Sequence, residues 1–361
     1  MRLAPKVAIL IINYNGLAWL PRCLSTVAKT KYSNYEVYVI DNASVDGSVE
    51  FVHRKFPTVK IIKNSRNLGL PEAYNRAIAQ VDAEYVAMLN NDTEVLNARW
   101  IEDLVRVASE NPTVAAVTSK MVSMNDHQIL QSVGGMGIPY WRGFVDIGAS
   151  ELDKNQYRDE FEPFAFCGGA ALIRKSSFVD VGRYDGEMFL YLEDTDLSWR
   201  LRLAGWKVEY APASKVAHYL GGSTEGGGVT PLRLYYCHRN LLRAIVKNCG
   251  SSLTWGLRNY FLFTLLIMSG FFIYEPRKAI VILRAIAWNI RNLKTAYASR
   301  LRVQSRRKVS EQEILRRMYP ALRRKQAAEY ASLRRILNVL FEYSDRRRFQ
   351  AAIQTQTSRR H

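Results

Sequence analysis

The sequence predicts an α/β fold: a mostly parallel central sheet with helices on both faces, followed by a C-terminal helical, basic extension. Three observations carry this. Over the first 120 residues, short β-branched apolar runs alternate with helical patterns at intervals of about 22 to 30 residues, the spacing of βαβ units. The innermost runs, VAILII above all, are apolar without interruption, as strands covered on both faces must be. The charge is lopsided: of the formal +18 on 361 residues, 1–290 hold 32 basic against 28 acidic residues (+4), whereas 291–361 hold 19 against 5 (+14). A basic tail on a nearly neutral body points to an anionic surface as partner.

With 48% hydrophobic and 23% charged residues, the chain has the composition of one large globular domain or two modest ones. That excludes wholesale disorder, a collagen repeat and a polytopic membrane protein. The opening MRLAPKVAILIINYNG has an apolar run of only about six residues and no small-residue cleavage site, so it reads as a buried strand rather than a signal peptide. Cys23, Cys167, Cys237 and Cys249 form no CxxC pair and no zinc-spaced cluster, which predicts free thiols in a reducing cytosol.

The strands expected in order are Val7–Ile12, Val37–Ile40, Val59–Ile62, Tyr85–Leu89 and Val114–Thr118. Three of them run into polar clusters: Asn13-Tyr14-Asn15-Gly16, Asp41-Asn42-Ala43-Ser44 and Asn90-Asn91-Asp92-Thr93. Ligands of open α/β sheets bind beyond the carboxyl ends of the strands, so three clusters on one edge imply one site. A single glycine in the first βα turn and the lack of a GxxxxGK[ST] run exclude an ordinary dinucleotide or P-loop site. From 121 to about 230 the alternation breaks into shorter, turn-rich stretches, and beyond Pro231 the chain becomes helical, apolar and finally basic. These shifts divide it into 1–245, with halves 1–120 and 121–245, and an extension over 246–361.

Three constellations are candidates for chemistry. Asn90-Asn91-Asp92 offers a carboxylate and two amides, suited to Mg²⁺ or Mn²⁺ beside phosphates and equally suited to an Asx turn. Glu193, Asp194 and Asp196 open a helix that Gly205 stops; dipole complementation explains one such acid, and the same dipole would keep a proton-accepting carboxylate ionised. His218 stands at a strand end, as a metal ligand or merely a hydrogen-bonded imidazole.

The ordered set Ile11-Ile12-Asn13-Tyr14-Asn15, Val39 to Ser48, Asn67-Leu68-Gly69 with Asn75, Leu89 to Glu94, Gly168-Gly169-Ala170, Glu193-Asp194-Thr195-Asp196 and His218 resembles the family 2 glycosyltransferases, whose fold is the Rossmann-like GT-A fold. Within them it is most similar to rhamnosyltransferase-type enzymes, over roughly residues 5–245. The resemblance makes 1–120 the nucleotide-sugar half and 121–245 the acceptor half. It implies that Asp41, with Asn42 beside it, contacts the nucleotide base, and that Asn13 and Asn15 contact the nucleotide. Asn67 and Gly69 would border the ribose and diphosphate, with Asn90, Asn91 and Gly169 completing the donor site. Asp92 would be the remaining acid of a DxD motif whose first position here is Asn90, and His218 would complete the coordination of Mn²⁺ or Mg²⁺. Asp194 would be the general base, with Glu193 and Asp196 orienting it or holding acceptor hydroxyls.

The function so implied is an inverting, metal-dependent hexosyltransferase. It would move a sugar, rhamnose from dTDP-rhamnose being the expected case, to a glycan or lipid-linked acceptor in cell-surface polysaccharide synthesis. The QxxRW element of processive synthases is missing, the region offering Tyr235-Tyr236-Cys237-His238-Arg239-Asn240, so one sugar per encounter is expected. A protein or free-saccharide acceptor is the alternative within this class. The alternative outside it is an inert α/β body whose basic tail binds membrane or nucleic acid; the carboxylate set argues against that, and nucleic acid is not an expected partner.

Asn259–Tyr274 is uncharged and, at 16 residues, about 24 Å long as a helix, short of a hydrocarbon core of roughly 30 Å. It is expected to lie in a membrane interface, the alternatives being a core or homo-oligomer helix and a span. Leu333, Ile336, Leu337, Leu340 and Phe341 form an amphipathic stripe. Arg306-Arg307-Lys308, Arg323-Arg324-Lys325 and Arg346-Arg347-Arg348 would add attraction to an anionic leaflet. The expected location is the cytoplasmic face of the membrane, peripherally bound.

Overall fold

The structure is a computed structural model that describes residues 4–137, 143–219 and 230–318. The first half builds β1 (Val7–Asn13), α1 (Leu20–Val27), β2 (Tyr35–Asp41), α2 (Ser48–Lys55), β3 (Lys60–Lys63), α3 (Gly69–Gln80), β4 (Tyr85–Asn90), β5 (Thr93–Val95) and α4 (Trp100–Glu110). Then come β6 (Val114–Ser123), β7 (Leu130–Ser132), β8 (Gly135–Gly137), β9 (Phe144–Asp146), β10 (Ala170–Arg174), α5 (Lys175–Asp180), α6 (Glu193–Leu203) and β11 (Lys207–His218). The main sheet runs β3-β2-β1-β4-β10-β6-β11-β5, with β7 on β6.

The strands β3, β2, β1 and β4 are parallel, as expected. Beyond them the sheet is mixed, because β10 inserts antiparallel between β4 and β6, and β5 closes antiparallel on β11. Strand alternation sorts the core into two layers. Val7, Ile9 and Ile11 of β1 pack with Leu20 and Leu24 of α1 and Leu104 of α4. Ala8 and Leu10 face Ala73 and Tyr74 of α3, Phe178 of α5, and Leu197 and Leu201 of α6.

The rest is helical: α7 (Pro231–Asn248), α8 (Leu253–Tyr274), α9 (Pro276–Arg291), α10 (Leu293–Ser305) and α11 (Glu311–Met318). Position 245, the expected boundary, falls inside α7, one continuous helix whose Leu241 and Ile245 pack with Phe164 and Trp199 of the sheet-bearing part. The apolar stretch expected over 259–274 is the greater part of a 22-residue helix, about 33 Å long and so of spanning length. Its Tyr260, Thr264, Met268 and Phe271 are buried against neighbouring elements while the opposite side is open. The amphipathic stripe at 333–341 and the basic clusters at 323–325 and 346–348 lie outside the described residues.

Candidate active site

The strand-end amides form a lattice before they form a site. Asn13, at the end of β1, donates to Ser44 Oγ (3.1 Å) and Ser48 Oγ (2.9 Å) and accepts from Asn91 Nδ2 (2.8 Å), tying the ends of β1, β2 and β4 together. It is only 1% exposed, so it braces the donor loops rather than presenting an atom to nucleotide. Asn42 is likewise internal: it donates to Asn67 Oδ1 and Gly69 O and accepts from Asn64 Nδ2. Asn15 is exposed, with its amide oxygen accepting from Val45 N. Asp41 is nearly closed over, receiving Ser44 N on both oxygens at 3.3 Å. Gly16 shows why the first turn carries a glycine: a Cβ there would collide with the Asn91 and Asn13 amides.

Asn90, Asp92 and His218 come together as expected. The His218 Nδ1–H donates to Gln131 Oε1 (3.0 Å), whose amide is oriented by its own bond from Nε2 to His218 O (2.8 Å). This turns Nε2 toward Asp92 Oδ1 at 3.2 Å, with Asn90 Nδ2 at 3.4 Å. Asn90 Oδ1 is buried without a partner. An imidazole nitrogen beside a carboxylate oxygen, with the unpartnered Asn90 amide oxygen on the same strand end, is a donor set of the type that divalent ions take, so these residues fit such an ion. Among the described residues no group of three or more His, Cys, Asp or Glu side chains converges on a metal position. The remaining ligands would therefore come from phosphate oxygens and water, the ordinary habit of Mg²⁺. Gln131 was not read from the sequence, because its role exists only through the pairing of β7 with β6.

Two glycines join this corner to the acids. Gly169 O accepts from Asn90 N (3.1 Å), and a Cβ at Gly169 would press on Met121. Gly168 N donates to Asp194 Oδ2 (2.8 Å), while Thr195 N donates to Asp194 Oδ1 (2.6 Å). Asp194 is thus aimed by two backbone amides and stays partly accessible. Burial raises its carboxyl above the usual range despite those amides. Burial, then the Asp194 charge, pushes Glu193 up to about 8. The expectation that the helix dipole keeps these carboxylates ionised is not met at Glu193, where desolvation wins, and the same desolvation raises Asp194.

Asp196 does not belong to the site. It is 0% exposed and is consumed by Arg200 Nε (2.9 Å), Lys247 Nζ (2.9 Å) and Asn248 Nδ2 (3.0 Å). Two residues along a helix turn about 200°, so Asp196 faces away from Asp194, a signal that helical geometry already held.

Residues 8–182 match the family described as "Glycosyl transferase family 2". The chain is 28% identical over 243 residues to N-acetylglucosaminyl-diphospho-decaprenol L-rhamnosyltransferase of Mycobacterium tuberculosis, covering 60% of this chain and 76% of that one. Two solved structures share the fold. A GalNAc-T7 with UDP, GalNAc and Mn²⁺ superposes with a TM-score of 0.54 at 20% identity, over 68% of this chain and 48% of that one, about half its length. A mannosyltransferase from Pyrobaculum calidifontis with GDP-mannose and Mn²⁺ gives 0.51 at 14% identity, over 89% of each chain.

Proposed function

The chain belongs to the rhamnosyltransferase-like family 2 glycosyltransferases, enzymes of the GT-A fold, and on that premise we propose that it performs an inverting, non-processive transfer from a nucleoside diphosphate sugar. dTDP-rhamnose is the proposed donor and a lipid-linked glycan of a cell-surface polysaccharide the proposed acceptor. The single observation that carries the reading is the Gly168-Gly169 bridge, which sets Asp194 beside the Asn90–Asp92–His218 corner through two backbone hydrogen bonds.

Asp92 and His218 are the residues proposed to hold Mn²⁺ or Mg²⁺, and the bound ion would supply positive charge for the departing diphosphate. Asp194 removes the proton of an acceptor hydroxyl as its oxygen bonds to the anomeric carbon. The nucleoside diphosphate leaves from the opposite face with the electron pair, which inverts the centre. Glu193, closed over beside it, keeps the base's surroundings poorly solvated.

Asp194→Asn keeps an acceptor oxygen for one of the two backbone amides and removes the base. Transfer should fall by about 10² to 10⁴-fold, while dTDP with Mn²⁺ still raises the melting temperature as in the parent protein. Turnover near the parent rate would sink the assignment.

The acceptor reading comes with a location, proposed as the cytoplasmic face of the membrane. What supports it is the outer surface of the helical layer. Of nineteen exposed large apolar side chains among the described residues, twelve lie on α8, α9 and α10, from Phe261 and Leu265 to Ile290 and Leu301. Residues 253–308 carry eleven basic residues against one acid, Glu275. An apolar face on a strongly basic group of helices fits the surface of an anionic bilayer, to which each basic residue near the lipid adds about 1 kcal/mol. Leu262→Glu with Leu265→Glu should abolish co-flotation with phosphatidylglycerol vesicles and leave the melting temperature within a few degrees. Undiminished flotation would refute this surface.

A further inference from the structure

The segment that leads into the acids is held in an unusual backbone. Phe189, Tyr191 and Leu192 have positive φ of 58°, 67° and 63°, and all three are bulky residues whose Cβ makes a positive φ unfavourable. Leu192 is the N-cap of α6, so the next two side chains are Glu193 and Asp194. On one side the segment rests on the donor loops: Leu70 N donates to Phe189 O (2.8 Å), and a Cβ at Gly69, itself at φ +74°, would approach Phe189 O to 2.5 Å. The segment is thus a strap between the Asn67–Gly69 turn and the base.

The side chains that pay for this backbone come from α7. Asn240, 0% exposed, donates its amide to Met188 O (2.9 Å), Leu190 O (2.9 Å) and Tyr191 O (2.7 Å), two hydrogens shared among three carbonyls. Arg239 Nη2 donates to Glu187 O and Met188 O, both at 2.7 Å, and its Nε donates to Asn240 Oδ1 (3.0 Å), which turns the amide hydrogens toward the strap. The guanidinium lies over Tyr236 and Trp288, 4.5 and 4.3 Å from the ring centroids, and Tyr236 stacks on Phe189. Neither residue has a part in the transfer chemistry described above.

The geometry points to Arg239 and Asn240 as positioning residues that clamp the 187–192 strap in its positive-φ course and thereby set Asp194 against the donor. This rests on the reading of Asp194 as base. With the clamp gone, the carbonyls of Glu187, Met188, Leu190 and Tyr191 lose these donors and the positive-φ residues relax, which carries the first turn of α6 with them. A displacement of about 1 Å at a reacting group costs on the order of 10²-fold in rate.

The test compares Asn240→Ala, Asn240→Asp and Arg239→Lys with the parent protein. Asn240→Asp is isosteric but turns acceptors toward three carbonyls, whereas Arg239→Lys keeps the charge and loses the paired donation. Expected are a 10- to 100-fold fall in kcat for both Asn240 variants with the KM for the nucleotide sugar within threefold, a milder fall for Arg239→Lys, and a displaced pH profile of kcat. Hydrogen exchange gives a readout independent of turnover: amides of 187–196 should exchange faster while those of β1 and β4 do not change. Unchanged exchange over 187–196 in the folded variants would overturn the clamp, and so would kcat and KM changes no larger than the loss of folded protein explains. If the Asn240 variants do not fold, Arg239→Lys carries both measurements. A parent protein inert toward every nucleotide sugar would refute the transferase reading, and the exchange result would still decide the clamp.

Discussion

The two sides of the site are made of opposite materials. The donor side, from Asn13 to Asn91, is chiefly a lattice of amides and hydroxyls, with Asn13 bonded to Asn91 and Asn42 to Asn64 and Asn67 across strand ends, and its carboxylates Asp41 and Asp46 bonded only to backbone amides and hydroxyls. The base side is built from buried charge. Behind Asp194, α6 and α7 enclose Asp196, Arg200, Arg243 and Lys247, with Asp185 completing the group. Burial pushes Asp196 and Asp185 up, and the Lys247 charge with Arg200 or Arg243 outweighs it, so both carboxyls lie below the usual range. An amide lattice loses its members one bond at a time, whereas a buried ion group fails when one charge is left alone.

The largest effect should come from the charged side. Lys247→Met retains the stem and removes the ammonium that Asp185 and Asp196 share. Leaving buried carboxylates short of a partner is expected to cost about 3 to 5 kcal/mol, measured by urea denaturation at pH 7. A loss below about 1 kcal/mol would mean that Arg200 and Arg243 alone neutralise the group, and the contrast between the two sides would collapse.

Comparable in size is a pH effect at Glu193. A carboxyl raised to about 8 in the folded protein holds its proton where the unfolded chain has lost it. The folded state therefore binds more protons between about pH 4.5 and 8, and stability falls as pH rises through that window, by about 1.4 kcal/mol for each unit of the shift. Glu193→Gln cannot ionise, so the difference in its favour should grow from pH 5 to pH 8. Parallel stability curves for the two proteins would show that Glu193 is ionised in the fold and that burial does not dominate there.

Strand ends were legible because apolar runs that stop at Asn and Asp mark the edge of a sheet, and Asp92, His218 and Asp194 reach that edge as read. The same signal could not tell a brace from a ligand contact: Asn13 and Asn15 look alike in sequence, yet one is sealed among Ser44, Ser48 and Asn91 and the other is open. The antiparallel β10 left no local trace, since its neighbours β4 and β6 are set by a connection of more than forty residues. Arg239 and Asn240 stood out only as what replaces a processive motif, because their partners are backbone carbonyls fifty positions away. The exposed apolar face of α8, α9 and α10 read as one short apolar stretch because the exposed positions of α9 and α10 are spaced among charges.

The smallest effect belongs to the amide lattice, and it separates bracing from contact. Asn13→Ala removes two donated bonds and leaves the Asn91 amide without its acceptor, in a place closed to water. Unsatisfied amide and hydroxyl groups of this kind cost about 1 to 3 kcal/mol, reduced here because Ser48 Oγ keeps its bond to Asp46 Oδ1 (2.6 Å) and Ser44 Oγ its bond from Asn15 N (2.9 Å). Affinity for dTDP with Mn²⁺ should weaken only as far as the Ser44 and Asn91 loops loosen. Asn15→Ala, at an exposed position with φ of 49°, removes the acceptor of Val45 N and should cost about 1 kcal/mol, so that a loss of nucleotide affinity larger than this loosening explains reports a direct contact. Urea melts paired with dTDP thermal shifts read both quantities in the same two variants. If Asn13→Ala abolished nucleotide binding at unchanged stability, Asn13 would have to reach the ligand, and the donor side would be a set of contacts rather than a scaffold beneath them.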